Sequence, residues 1–246
     1  MSAELAAVAL LNERFLTDYP FEAARALQAL PTDATVAILR SRSATARLRA
    51  WQALSPDRAA DVLSALDPEI AQRLLLESDL QVGVAALAQV DASRRETLLA
   101  ALPEEAAADL RHVMQYPPGT AGYQMDPRIG ALDAQLTVAE AIERLRSLRT
   151  RALRDLFVVD QQMQLLGQIE IEDLALTGRE RPIREITRVI ATVVRDHDTA
   201  AVVAKRWRET PLNVLPVVNA TGRFVGVIRQ SQPARSSGGL LRRWFG

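Results

Sequence analysis

Tyr116-Pro117-Pro118-Gly119-Thr120-Ala121-Gly122-Tyr123-Gln124-Met125-Asp126-Pro127 is the stretch on which the fold turns. It holds three prolines and two glycines in twelve residues, so no helix runs through it. Ahead of it the chain is rich in Ala and Leu and reads as helix throughout. Behind it come β-branched runs such as Phe157-Val158-Val159 and Val225-Gly226-Val227-Ile228. The twelve residues therefore join a helical half to an α/β half, and 246 residues suffice for both.

Going back from the joint, the sequence repeats about every twelve residues. One apolar column is Leu27, Leu39, Trp51, Leu63, Leu75, Leu87 and Leu99. The column one place earlier is Ala26, Ile38, Ala50, Val62, Leu74, Ala86, Leu98 and Leu110. A third runs Leu30, Leu54, Leu66, Val90 and Leu102, with Arg42 and Ser78 as exceptions. After this column comes a breaker or cap, Pro31, Ser55, Asp67, Asp79, Asp91 or Pro103. Ser and Asp accept bonds from the free amides of the next helix start, and Pro fits its first turn. Each unit is thus about two helical turns and a tight corner, too short to bury its apolar face alone. The units must stack into a superhelical array, which is a scaffold and names no function by itself. Residues 1–20 fit the repeat poorly, and Met1 to Leu16 reads as an additional amphipathic helix.

Going forward from the joint, two related modules follow. In the first, Ile129–Leu132 is a strand, and Thr137 with Glu140 forms a capping box. The helix that follows has Val138, Ala141, Ile142, Leu145 and Leu148 on one face. Strands Leu156–Val159 and Leu165–Ile171 flank a polar turn at Asp160-Gln161-Gln162, and a short helix starts at Glu172. The second module repeats the order. Strand Val189–Val194 leads to helix Ala200–Trp207, strand Val214–Val218, turn Asn219-Ala220-Thr221-Gly222 and strand Phe224–Ile228. Leu165-Leu166-Gly167-Gln168-Ile169 aligns with Arg223-Phe224-Val225-Gly226-Val227-Ile228.

Composition narrows the function classes. The chain has no cysteine, so it has no disulfide, thiolate metal site or thiol nucleophile. No apolar run approaches the ~20 residues of a spanning helix, and the N-terminus carries no secretory pattern. His112 and His197 lie in different halves, and neither a nucleophile elbow nor a phosphate loop is present. An enzyme is not expected and no catalytic residue is assigned. Net charge is zero but uneven: residues 1–124 carry 16 acids against 11 arginines, and residues 125–230 carry 14 acids against 16 bases. No block is basic enough for nucleic acid.

The Tyr-Pro, the short turn, the Thr-Ala-Gly and the Met-x-Pro of the joint resemble the junction in the cytosolic part of MgtE-type magnesium channels. The strand pairs ending in an apolar-apolar-Gly core resemble CBS modules. The resemblance covers roughly residues 20–232 and implies an α plus α/β chain. An N-terminal superhelical array of short helices, residues 1–122, precedes a tandem CBS pair, modules 123–178 and 179–232, with a basic and aromatic tail over 233–246. It implies a non-enzymatic, cytoplasmic sensor in which Mg2+ neutralises facing carboxylates and closes the N domain on the CBS pair. It also implies a homodimer through the CBS half and a transmembrane pore, in the same chain or as a partner.

Asp57 and Asp61 lie one helical turn apart and repel unless a cation intervenes; Arg58 or Arg73 on a solvated face is one, and a hard divalent ion another. The metal candidates are Asp57, Asp61 and Asp91 in the first half and Glu170, Glu172, Asp173, Asp196 and Asp198 in the second. Against the family pattern, the second half is rich in arginine (Arg144, Arg146, Arg149, Arg151, Arg154), a permanent substitute for the ion. CBS modules that bind adenosine compounds carry Gly, then Ser/Thr three residues on, then Asp three further. Here the positions read Gly167, Glu170, Asp173 and Gly226, Arg229, Gln232. Asp173 and Arg229 are the nucleotide-binding candidates that survive, beside a carboxylate that repels phosphate. The alternative function is a soluble CBS adaptor that reads adenine nucleotide or scaffolds a partner. Leu240-Leu241-Arg242-Arg243-Trp244-Phe245 is suited to lying on an acidic membrane surface.

Overall fold

The computed structural model describes residues 12–128, 130–147, 156–210 and 213–229. The chain divides into two compact units between Pro117 and Pro118.

The first unit is the helical array. Its helices are α1 (Glu13–Asp18), α2 (Pro20–Gln28), α3 (Thr32–Arg40), α4 (Ala44–Gln52), α5 (Pro56–Ala65), α6 (Pro68–Glu77), α7 (Leu80–Gln89), α8 (Ala92–Ala100) and α9 (Glu104–Met114). From α2 onward every helix begins about twelve residues after the last, as the apolar columns require. The Leu27 to Leu99 column is buried throughout, with Trp51 wholly enclosed and its indole N–H donating to the Ala59 carbonyl at 3.1 Å. From α2 onward most helices pack chiefly on the next but one, whereas α1 packs chiefly on α4. Ser43, Asp79 and Asp91 cap the helices that follow them through their side chains. Ser55 and Asp67 do not, and Pro56 and Pro68 stand at the first position of those helices; the Asp67 carboxylate takes Arg40 at 2.8 Å.

Arginines satisfy the carbonyls left open where helices end. Arg58 on α5 donates to the Leu30 carbonyl after α2, and Arg94 on α8 donates to the Ser64 carbonyl near the end of α5. Both sit at the third position of their helices. The helix expected over Met1–Leu16 is not continuous: Asn12, in extended conformation, caps α1 by accepting from the Phe15 amide. Residues 1–11 lie outside the described residues.

In the second unit, α10 (Ala121–Gln124) is one turn within the joint, followed by β1 (Gly130–Asp133), α11 (Val138–Ser147), β2 (Leu156–Val159), β3 (Leu165–Ile169) and α12 (Ile171–Leu176). A 3-10 turn at Ile183–Ile186 leads to β4 (Val194–Arg195), α13 (Ala200–Glu209), β5 (Val214–Val218) and β6 (Phe224–Arg229). Each module is a three-stranded sheet, β1-β2-β3 and β4-β5-β6, with a parallel first pair and an antiparallel second. The register shifts at Val158/Val159 and at the aligned Val217/Val218. The Asp160 carboxylate and the aligned Asn219 side chain each tie down their hairpin turn by accepting two backbone amides. Phe157 and Phe224 meet at 4.8 Å in a core shared by both modules.

Two expected strands are corrected. β3 stops at Ile169, and Glu170 becomes the residue before α12. The strand expected over Val189–Val194 shrinks to Val194–Arg195, with Val189 86% exposed. Arg188 pairs with Gln168 of the first module, and the residues after it cross to the second with no strand beside them. β propensity has no effect where no partner strand is in reach.

The capping box forms as expected. The Glu140 carboxylate accepts from the Thr137 amide and hydroxyl, and the Thr137 hydroxyl accepts from the Glu140 amide. Val138, Ala141 and Leu145 face the first module's core; Leu148 lies outside the described residues.

Candidate functional site

The candidate carboxylates fall into three places. Asp57 and Asp61 are both exposed on α5, one turn apart. Arg58 lies between them in sequence and reaches Asp61 at 3.9 Å, but most of its donors are spent on Leu30, Thr32 and Thr35. Asp91 is committed to the start of α8, accepting from the Arg94 amide at 3.0 Å.

The second place is the turn after β4. Asp196 is buried to 6% exposure and meets the His197 Nδ1 at 2.9 Å. The Asp198 carboxylate accepts from the Arg195 amide at 2.8 Å and so holds the turn's shape. The backbone carbonyls of Asp196 and Asp198 also accept, from Gly122 and Ala121.

The third place lies beyond the last strand of each module. The Arg188 guanidinium reaches Glu170 at 2.5 Å and Asp173 at 2.9 Å. At the matching end of β6, Arg229 reaches Asp126 at 3.3 Å, and Asp126 also holds Arg128 at 2.9 Å. Glu170 and Arg229 occupy aligned positions, so the two ion pairs are equivalent with their charges exchanged. Glu172 is exposed. Sequence reasoning missed Arg188, Asp126 and Arg128. The signal was present, because opposite charges at aligned positions call for opposite partners.

At both strand ends the nucleotide-binding candidates are engaged in ion pairs. A Cβ on Gly167 would lie 2.3 Å from the Arg188 carbonyl oxygen, and one on Gly226 would lie 3.0 Å from that of Asp126. Gly167 is therefore accounted for by close backbone approach, and Gly226 by the Met125 side chain together with the Asp126 carbonyl. Asp173 is engaged by Arg188, beside the Glu170 carboxylate, and Arg229 faces Asp126. Gln232 lies outside the described residues.

For magnesium the donor chemistry is right, since hard cations take carboxylate oxygens. The structure brings the acids together in twos: Asp57 with Asp61, Asp196 with Asp198, and Glu170 with Asp173. Among the described residues no three acidic or histidine side chains form a group able to hold a metal ion. Of the expected arginine cluster, Arg146 pairs with Glu143 at 2.5 Å, while Arg149, Arg151 and Arg154 lie outside the described residues. No helix among the described residues is long and apolar enough to cross a membrane.

Comparison with known proteins gives matches in both units. The profile of the MgtE intracellular N domain matches residues 19–119, and that of the CBS domain matches residues 183–232. The magnesium transporter MgtE of Thermus thermophilus is 29% identical over 152 residues, covering 61% of this chain and 34% of the transporter. The magnesium transporter MgtE of Bacillus subtilis is 28% identical over 121 residues, covering 47% and 26%. The chain thus spans about a third or less of these relatives' length. A solved structure of the cytosolic domain of the Mg2+ channel MgtE in complex with ATP has the same fold. Its TM-score is 0.60 at 24% identity, covering 90% of this chain and 96% of that one.

Proposed function

The chain has the architecture of the cytosolic region of the MgtE family, and from that premise we propose that it is the regulatory part of a magnesium transport system in which a divalent cation closes the N-terminal unit on the CBS pair. The observation that carries this is the order of the two domain families on one chain, together with curated relatives that are magnesium transporters. The chain works at the cytoplasmic face of a membrane, with a pore supplied in the same chain or by a partner. It pairs with a second copy through the CBS half, where Ile171, Leu176 and Val189 are large exposed apolar residues.

Charge supplies the physics. Residues 1–124 carry 16 acids against 11 arginines, so bringing further carboxylates to them costs repulsion. An ion that binds the closed form alone stabilises it by mass action, about 2.7 kcal/mol at a hundredfold excess over Kd. Asp57, Asp61 and Glu172 are the readiest ligands because they are exposed. Glu170 and Asp173 would first give up Arg188, Asp91 its cap, and Asp196 and Asp198 their turn contacts.

The test is a magnesium titration of the whole chain, followed by small-angle scattering and protease sensitivity of residues 116–126. The expected result is a smaller radius of gyration and slower cleavage through the millimolar range, with sodium at equal ionic strength having little effect. An unchanged radius with unchanged cleavage overturns the sensor and leaves a scaffold. Compaction by micromolar ATP without magnesium assigns the response to nucleotide instead, the ligand with which the related cytosolic domain was solved.

A further inference from the structure

The second unit carries two clefts at matching places in its two modules, one of about 870 Å³ in the first and one of about 700 Å³ in the second. Each opens at the carboxyl ends of a parallel strand pair, β1-β2 or β4-β5, beside the helix that joins the two strands. A βαβ crossover leaves room for a ligand at that end. The clefts lie away from the ion pairs described above. In the second module the cleft borders Val218, whereas Arg229 pairs with Val214 at the other end of β5.

The two clefts differ in charge. Asp133 and Arg195 stand at the same register of their sheets, and α11 and α13 each begin five residues later. Glu140 therefore aligns with Val202, Glu143 with Lys205 and Arg144 with Arg206, while Asp160 aligns with Asn219. The first cleft is bordered by Asp133, Glu140, Glu143 and Asp160, against Arg144 and Arg179. The second has Arg195 and Arg206 against Asp198. None of the four acids has an acidic counterpart in the second module.

The positive charge of the second cleft is available to a ligand. The Asp198 carboxylate accepts from the Arg195 amide, but the Arg195 guanidinium has no hydrogen-bond or ion-pair partner among the described residues. Arg206 is shared with Glu209 at 3.2 Å. In the 219–222 turn the Asn219 side chain accepts from the Thr221 and Arg223 amides, and Gly222 donates to the Asn219 carbonyl. The Ala220 amide has no acceptor among the described residues. At the start of α13, Thr199 makes no side-chain cap bond, and Val202 stands where Glu140 completes the capping box of α11. A helix start without a carboxylate and an unpaired guanidinium favour the same ligand charge. Val193, Val202 and Val218 supply an apolar floor, Val202 being 37% exposed. The volume is that of a small-molecule site.

We propose that the cleft bounded by Arg195, Arg206 and the 219–222 turn binds a small organic phosphate, with the phosphate on Arg195 and the Ala220 amide and the apolar part on the three valines. This does not depend on whether a cation closes the chain.

The test is amide NMR of the whole chain during titration with phenyl phosphate, which carries both features. The amides of Val202, Ala220, Thr221 and Gly222 are expected to shift and saturate in the millimolar range, with phenol, or sodium chloride at equal ionic strength, having little effect. Inorganic phosphate, which lacks the ring, should bind about tenfold more weakly. Arg195→Gln should weaken phenyl phosphate about tenfold and leave the rest of the spectrum in place, since that guanidinium holds nothing else among the described residues. Val202→Glu, which sets the first module's carboxylate at the aligned position, should abolish binding by repulsion. Shifts that do not saturate, equal affinity for inorganic phosphate, or unchanged affinity in either variant overturn the proposal. Shifts confined to residues 167–173 or 226–229 overturn it as well, because they put the phosphate at the strand ends.

Discussion

Gly167 and Gly226 sit at aligned places in the last strand of each module, yet their surroundings differ in stiffness. At Gly167 the atom nearest an added Cβ is a backbone carbonyl oxygen, 2.3 Å away, with the Thr187 methyl at 2.7 Å. At Gly226 the nearest atoms are the sulfur and Cγ of Met125, at 2.8 and 2.9 Å. Methionine has three rotatable bonds and repacks, whereas the Arg188 carbonyl is tied to Gln168. Gly167→Ala should therefore destabilise the CBS unit by about 1–3 kcal/mol, and Gly226→Ala by clearly less. Chemical denaturation of the two variants, followed in the CBS unit, checks the order. Equal losses would mean that the Met125 side chain gives way no more easily than the Arg188 carbonyl.

At the scale of the element, α11 is the helix whose start is specified most completely. Glu140 accepts two bonds from Thr137, and these hold its carboxyl below the usual carboxylate range. A depressed folded pKa gives stability that is present above the unfolded value and lost as pH falls through the folded one. The unfolding midpoint of the CBS unit should accordingly fall on acidification below the ordinary glutamate range, and Glu140→Gln should flatten that part of the profile. Thr137→Ala removes one side of the box at every pH and should lower the midpoint by roughly 4 °C. Calorimetry across a pH series reads both effects. The array helices depend less on any one cap, because Arg58 and Arg94 close helix ends from neighbouring repeats and Pro56 and Pro68 start helices without side-chain help.

For the whole molecule, the apolar residues left in water decide the expected assembly. Leu176 and Val189 are 87% and 86% exposed in the CBS unit, and Ile171 is 52%. Exposed apolar side chains grouped in one unit mark an interaction surface when they are contiguous. A second copy covering them is expected to give a dimer mass in light scattering at tens of micromolar, about where weak interfaces still hold. Leu176→Glu with Val189→Glu should return the monomer while leaving the fold intact. A monomer mass for the unmodified chain at that concentration rules the pairing out.

The array was legible because its information is local and periodic: a column of Leu with one Trp, then Pro, Ser or Asp at each corner, states where helices start and which face is buried. The hairpins were legible for the same reason, with Asp160 and Asn219 tying turns within five residues of themselves. Tertiary structure decided what depended on a distant partner. Val189–Val194 has the composition of a strand, but only Val194 and Arg195 find a neighbour in β5. Glu170 stood out in the sequence as a carboxylate where the family carries a hydroxyl and Arg229 as a phosphate candidate, but their ion-pair partners Arg188 and Asp126 came only with the fold. The joint was recognisable by its prolines and glycines, yet its allegiance to the second module was not. That allegiance is set by bonds from Ala121, Gly122 and Asp126 to residues 196, 198 and 227, and a sequence carries no record of separations that folding closes.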